Sequence, residues 1–265
     1  MKLESRLVAK DIWLIQGAAN ELMYLVTGRE KAMLVDTGMG VGDLLGAVRA
    51  ITSLSVVVVN THGHPDHAGG NPGFPEAWLH PADVEIMRVM CSDEYRRNDM
   101  RAANGPENPA VAAMAQAMVP WKAIDLLPLA EGQRIELGSR QFEVIEAPGH
   151  TPGCVCLLDS ANKVLFAGDS IVATPAWLYL EHSLPLRVYR DSLLKLRARE
   201  DAFEMLFPGH PPSPLGKAYL HDLIACAEEI LAQPQRGAPE KTFAGEGLLW
   251  KHGVATIIYN PENFS

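Results

Sequence analysis

Apolar and polar positions alternate in short blocks along most of this chain, and the blocks change period in a way that separates strands from helices. Asp11 to Gln16, Glu21 to Thr27 and Lys31 to Asp36 are apolar runs broken by Gly17 and by the turn Gly28-Arg29-Glu30, which predicts an antiparallel ladder of hairpins. From Val41 the period lengthens, with Leu44, Leu45, Val48 and Ile51 on one face of an amphipathic helix. That helix feeds Val56 to Val59, a run of β-branched side chains suited to a buried strand. Trp78-Leu79-His80 reads as a short strand, and Pro81 opens a helix carrying Val84, Met87 and Cys91. The pattern loosens from Ser92 to Pro120, where Asn108-Pro109 starts a helix with Val111, Met114, Ala115 and Met118. Gln141 to Ala147 alternates as a half-buried strand does. Val155 to Leu158, Lys163 to Ala167 and Phe203 to Phe207 read as strands, Pro214 to Gln233 as a long helix, and Val254 to Tyr259 as the last strand. Such alternation predicts an α/β architecture, and 265 residues with 48% hydrophobic content fit a single domain over 1–265 with a sizeable core.

Chemistry collects where the strands stop. Directly after the valine run come His62, His64, Asp66 and His67, held by Gly63 and Pro65 in a tight loop. A divalent metal takes imidazole nitrogen and carboxylate oxygen at about 2.0–2.2 Å, so its ligands must converge, and a short loop at a strand end achieves this at low entropic cost. Solvated loop histidines are the plainer alternative, but four metal-capable side chains within six positions are what a metal site requires. Further along, His150 sits in the rigid turn Pro148-Gly149-His150-Thr151-Pro152-Gly153, Asp169 follows Gly168 at a strand end, and His210 closes Pro208-Gly209-His210. His80, His221 and His252 have no such company and read as structural. His182 differs by location, because it lies with Trp177 and Tyr179 in the aromatic stretch after Asp169.

Charge and cysteine usage narrow the setting. A net charge of −9 disfavours a role that depends on neutralising a nucleic-acid backbone. No signal-peptide core and no apolar run long enough to cross a bilayer is visible, so the expectation is a cytoplasmic protein without a membrane or nucleic-acid partner, acting on a small molecule. A homo-oligomer is compatible with the sequence. Cys91, Cys154, Cys156 and Cys226 show neither a disulfide framework nor CxxC spacing and read as reduced, buried thiols.

The motif His62-Gly63-His64-Pro65-Asp66-His67 after a hydrophobic strand resembles the signature of the metallo-β-lactamase fold hydrolases, closest in pattern to the glyoxalase II-like group. Asp36-Thr37-Gly38, the GHTPG element around His150, the Gly168-Asp169 pair and Pro208-Gly209-His210 match the family in order. The resemblance implies a four-layer αββα sandwich with a dinuclear site at the sheet edges. His62, His64 and His150 would hold one ion, Asp66, His67 and His210 the second, and Asp169 would bridge them, with Asp36 supporting the metal loop; a plain strand-to-helix turn capped by Asp36 or Thr37 is the other reading of that motif, and both can hold at once. The ions would be two divalent cations, zinc first, with iron or manganese as the other choices, since imidazole and carboxylate serve all three. The implied reaction is attack of a metal-held hydroxide on an ester, thioester or lactone carbonyl, with Asp66 as the catalytic residue that orients the nucleophile or moves its proton. An iron-dependent sulfur dioxygenase or a low-turnover ligand-binding protein of the same fold is the alternative.

Departures from the subfamilies refine this. Asp169 stands where true β-lactamases of the fold have cysteine or serine, and Val172 stands where acyl-homoserine lactonases usually have tyrosine. One helix and one strand are expected after His210, in place of the helical domain of hydroxyacylglutathione hydrolases. Residues 87–121 are a candidate lid over the metal site, with core packing of their methionines as the alternative. Met118, Trp177, Tyr179 and His182 are the candidate substrate contacts.

Overall fold

In the computed structural model, which describes residues 1–264, the first apolar runs form one mixed sheet of seven strands in sequence order. These are β1 (Glu4–Ala9), β2 (Ile12–Gln16), β3 (Leu22–Thr27), β4 (Lys31–Val35), β5 (Ser55–Val59), β6 (Glu76–Leu79) and β7 (Asp125–Pro128). The hairpin ladder runs antiparallel through β4, and from β4 onward the strands are parallel, because helical crossovers replace hairpin turns. Helix α1 (Leu44–Ile51) makes the first crossover, its N-terminus capped by Asp43 Oδ1, which accepts the Gly46 amide at 2.8 Å. Its buried face, Leu44 and Val48, packs on Leu25, Leu34 and Val58 of the sheet. Within the second crossover lies a four-residue helix, α2 (Pro65–Ala68), whose first position is the proline that suits a helical first turn.

Residues 87–121 are more regular than their sequence suggests. After α3 (Val84–Met90) come α4 (Asp93–Asn104) and α5 (Pro109–Ala117), and α4 had left no apolar period because its exposed face is densely charged. Met39, Val41, Met100, Val111, Met114 and Met118 pack together beneath these helices. Strands β8 (Arg134–Glu136) and β9 (Gln141–Glu146) follow.

By internal contacts the chain divides into two compact units, residues 1–142 and the residues from 143 onward. In the second unit β9 pairs with β10 (Val155–Asp159), β10 with β11 (Val164–Gly168), and β11 runs parallel to β13 (Met205–Pro208). A further sheet orders β12 (Ala176–Leu178), β16 (Ala255–Tyr259), β15 (Gly245–His252) and β14 (Ala238–Thr242). Helices α6 (Leu186–Arg197) and α7 (Ala218–Ala232) pack on each other and bury Tyr189, Leu193, Leu196, Leu223 and Ile230 in one core. One expectation is corrected here. One helix and three strands, rather than one strand, follow His210 among the described residues; the stretch after Asp169 holds β12 and the start of α6. Strand β14 escapes a periodicity reading because both of its faces are largely exposed. All four cysteines are buried free thiols, and no helix is long and apolar enough to cross a membrane among the described residues.

Candidate metal centre

In the first unit the site grows from the register of two parallel strands. Val35 of β4 lies beside Val59 of β5, so the chain leaves the sheet at the same edge through Asp36 and Asn60. Ligand sites of open α/β sheets form at such carboxyl ends. Asp36 turns there with φ +62°, and its amide donates to Val59 O at 2.9 Å. Its Oδ1 accepts the Thr61 amide at 2.7 Å, while Oδ2 accepts the Thr61 hydroxyl at 2.8 Å and lies 2.8 Å from His67 Nδ1. That arrangement selects the His67 tautomer with hydrogen on Nδ1 and a lone pair on Nε2. The Thr61 hydroxyl, having given its proton to Asp36, can only accept from His62 Nδ1 at 3.1 Å, which leaves the His62 lone pair on Nε2 as well.

The loop carrying these groups is fastened from several sides. Gly63 N donates to the buried Asp83 at 2.8 Å, and a Cβ on Gly63 would lie 2.6 Å from Asp83 O. The carbonyl of His67 accepts from Asn60 Nδ2 at 2.9 Å and from the Thr37 amide at 2.7 Å. The result is that His62, His64 and His67 are buried and Asp66 is half-buried, with His62 Nε2 3.1 Å from His64 Nδ1 and His67 Nε2 3.7 Å from Asp66 Oδ2.

In the second unit three strand ends supply the donors. His150 follows β9, Asp169 follows β11, and His210 follows the parallel neighbour β13, where Gly209 N donates to Gly168 O at 2.9 Å. His150 Nδ1 donates to the Trp177 carbonyl at 2.8 Å, so its lone pair is on Nε2. Asp169 Oδ2 lies 3.6 Å from that nitrogen and 3.4 Å from His210 Nε2. Donors about 2.0–2.2 Å from one tetrahedral cation sit roughly 3.3–3.6 Å apart. The chemistry of both sets, imidazole nitrogen with carboxylate oxygen at near that spacing, therefore fits a divalent ion.

Helix α6 is the positioning element that the sequence reading missed. Tyr189 donates its hydroxyl to Ser170 O at 2.9 Å and Ser192 donates to Pro148 O at 2.7 Å, so two turns of one helix hold both the His150 loop and the Asp169 loop. A Cβ on Gly149 would lie 2.6 Å from the Tyr189 ring, a reason for glycine beside the histidine. The signal was Leu186, Tyr189, Leu193 and Leu196 at helical spacing.

The candidate substrate contacts divide. Trp177 is half-buried and its ring meets Tyr179 and Phe243 at centroid distances of 5.5 and 5.4 Å. Phe243, at the tip of the β14–β15 hairpin, is 45% exposed and drew no notice in the sequence. His182 is half-buried next to Ser183, whose hydroxyl donates to the His150 carbonyl at 3.0 Å. Met118 is buried in the methionine cluster under α4 and α5. On α4, burial first and the Asp66 charge second push the Asp99 carboxyl up to about 7. Burial, then Asp99 and Asp66, raise the Tyr95 phenol as well. Behind the loop, Glu21 is buried, accepts the amides of Met39 at 3.0 Å and Ala19 at 2.7 Å, and is held above the ordinary carboxyl range by that burial.

The family model of the metallo-β-lactamase superfamily matches residues 17–210. Acyl-coenzyme A thioesterase MBLAC2 of Gallus gallus is 31% identical over 202 residues, which is 71% of this chain and 71% of that protein. Hydroxyacylglutathione hydrolase of Rhodospirillum rubrum is 28% identical over 202 residues, 76% of this chain and 66% of that one. The crystal structure of TTHA1623 in a di-iron-bound form superposes with a TM-score of 0.56 and 27% identity, covering 77% of this chain and 93% of that one, and the likeness shows the αββα fold.

Proposed function

The chain belongs to the metallo-β-lactamase superfamily as one of its metal-dependent hydrolases, and from that premise we propose that it cleaves an acyl thioester of a small molecule using two divalent cations. The observation that carries this reading is the pair of converging donor sets, His62, His64, Asp66 and His67 in the first unit and His150, Asp169 and His210 in the second. In this reading His62, His64 and His150 would hold one ion, Asp66, His67 and His210 would hold the other, and Asp169 would serve both. When bound, such ions lower the pKa of water towards neutrality and stabilise negative charge on a carbonyl oxygen. The chain's own part is to hold imidazole lone pairs in place through Asp36, Thr61 and the Trp177 carbonyl, and Asp66 would take a proton from the attacking water.

The thioester is favoured over the ester and the lactone by the relatives' names, one an acyl-coenzyme A thioesterase and the other a hydrolase of an acyl group carried on glutathione. Zinc is the first choice of metal. The di-iron state of TTHA1623 makes iron the second. The test is reconstitution of metal-free protein with zinc, iron or manganese, followed by thiol release from acyl-coenzyme A and acylglutathione beside turnover of aryl esters and lactones. Thioester turnover at least tenfold above the other classes is the expected result. Ester or lactone turnover without thiol release would overturn the thioester assignment, and oxygen uptake with an iron-loaded, coloured protein would favour the oxidative alternative.

A further inference from the structure

Arg96, in the first turn of α4, is a fully buried cation. Burying a guanidinium is costly unless its hydrogens find acceptors. Here Nη1 donates to Met39 O at 3.0 Å and to Gly69 O at 2.9 Å, while Nη2 donates to Asp93 Oδ1 at 2.9 Å and to Val119 O at 2.8 Å. The four acceptors come from different places. Met39 belongs to the loop that begins at Asp36, Gly69 ends the short helix bearing Asp66 and His67, and Asp93 and Val119 stand at the two ends of the α4–α5 insertion.

A second observation shows the loop shaped around this side chain. Gly40 has φ +78°, and a Cβ there would lie 2.6 Å from Gly69 O and 2.7 Å from Arg96 Nη1. Only glycine leaves that space. The same corner is stitched by the Val119 amide to Gly40 O at 2.8 Å, the Gly42 amide to Ala117 O at 3.0 Å and the Trp121 amide to Asp93 Oδ1 at 2.7 Å.

We propose that Arg96 is a positioning residue that pins the α4–α5 insertion to the carbonyl end of the helix carrying Asp66 and His67, and so fixes where those two donors stand. The proposal rests on the reading of Asp66 and His67 as metal ligands. A guanidinium suits the task because its planar fork serves acceptors in several directions at once, whereas a lysine ammonium cannot span both Gly69 and Val119. Loss of the pin frees the metal helix without unmaking the sheet.

The experiment compares the wild-type protein with Arg96→Lys and Asp93→Ala. Hydrogen exchange of the metal-free full chain reads the loop directly, and zinc titration against a competing chelator reads the donors. We expect exchange of peptides covering residues 62–71 to quicken at least tenfold in both variants, with peptides from β1 to β3 unchanged, and one zinc equivalent to weaken at least tenfold. Wild-type exchange over 62–71 in folded variants, or an even rise across the first unit, would overturn the proposal. If Arg96→Lys does not fold, Asp93→Ala decides the matter by the same two readouts. Should the wild-type chain bind no metal, the ligand reading fails, while the exchange comparison still judges the pin.

Discussion

The Nδ1 atom of His67 lies 2.8 Å from Oδ2 of Asp36, thirty-one residues earlier, and both side chains are buried. This pair joins the end of β4 to the metal loop and fixes the imidazole tautomer. Outer partners of this kind are typically worth 10–100-fold in metal affinity. Asp36→Asn is therefore expected to weaken metal binding by about that factor, measured by competition with a chromophoric chelator, while circular dichroism stays native. Unchanged affinity in the folded variant would remove Asp36 from the metal site.

Asp169 stands within 3.6 Å of His150 Nε2 and 3.4 Å of His210 Nε2, so one carboxylate serves two imidazoles. If Asp169 is the shared ligand of the proposed reading, Asp169→Ala is expected to lose at least one metal equivalent and roughly a thousandfold or more in kcat, since a shared ligand would position both cations. Elemental analysis after dialysis, with thiol release as the rate readout, checks this. Two retained equivalents with near wild-type turnover would defeat the bridging role.

Asp99 gives a pH dependence whose sign can be worked out. Its carboxyl is raised from an ordinary 3.8 to about 7, mainly by burial. Between those values the folded chain binds more protons than the unfolded chain, so metal-free protein loses stability as pH rises through that window. Asp99→Asn removes the effect. Its melting temperature should match the wild type near pH 4 and exceed it by at least about 2 °C at pH 8. An offset of equal size at both pH values would show that Asp99 does not titrate in this way.

What the sequence made legible was whatever had to be written locally. His62, His64, Asp66 and His67 share one loop with the glycine and proline that shape it, and His150, Asp169 and His210 each follow a strand whose apolar run marks its end. The groups that hold those donors were harder to see, because their partners are distant in the chain. Arg96 lies in the charged run Asp93 to Arg97, and nothing local distinguishes the buried guanidinium from its exposed neighbour Arg97. Tyr189 and Ser192 lie on a helix whose period begins only after the aromatic stretch around Trp177, and no local feature of the sequence marks that boundary. Strand β14 contains proline and charged residues along an exposed edge, where an alternation of apolar and polar positions has nothing to record.

Trp177 has two parts with separate duties, and that separation makes the last prediction sharp. Its carbonyl holds His150 Nδ1 at 2.8 Å, whereas its ring packs with Tyr179 and the 45% exposed Phe243. A side-chain substitution therefore leaves the hydrogen bond to His150 in place while altering the aromatic wall. Discrimination among acyl groups must come from such walls, and each misfitting methylene is worth about 1–3 kcal/mol. Trp177→Leu and Phe243→Ala are expected to lower kcat/KM for long-chain acyl thioesters about tenfold or more relative to the acetyl thioester, with the metal content of the wild type. The comparison needs only a series of chain lengths and elemental analysis of the same samples. If both variants lower every substrate equally, or lose metal, the aromatic cluster supports the fold of the β14–β15 hairpin and does not touch the acyl group.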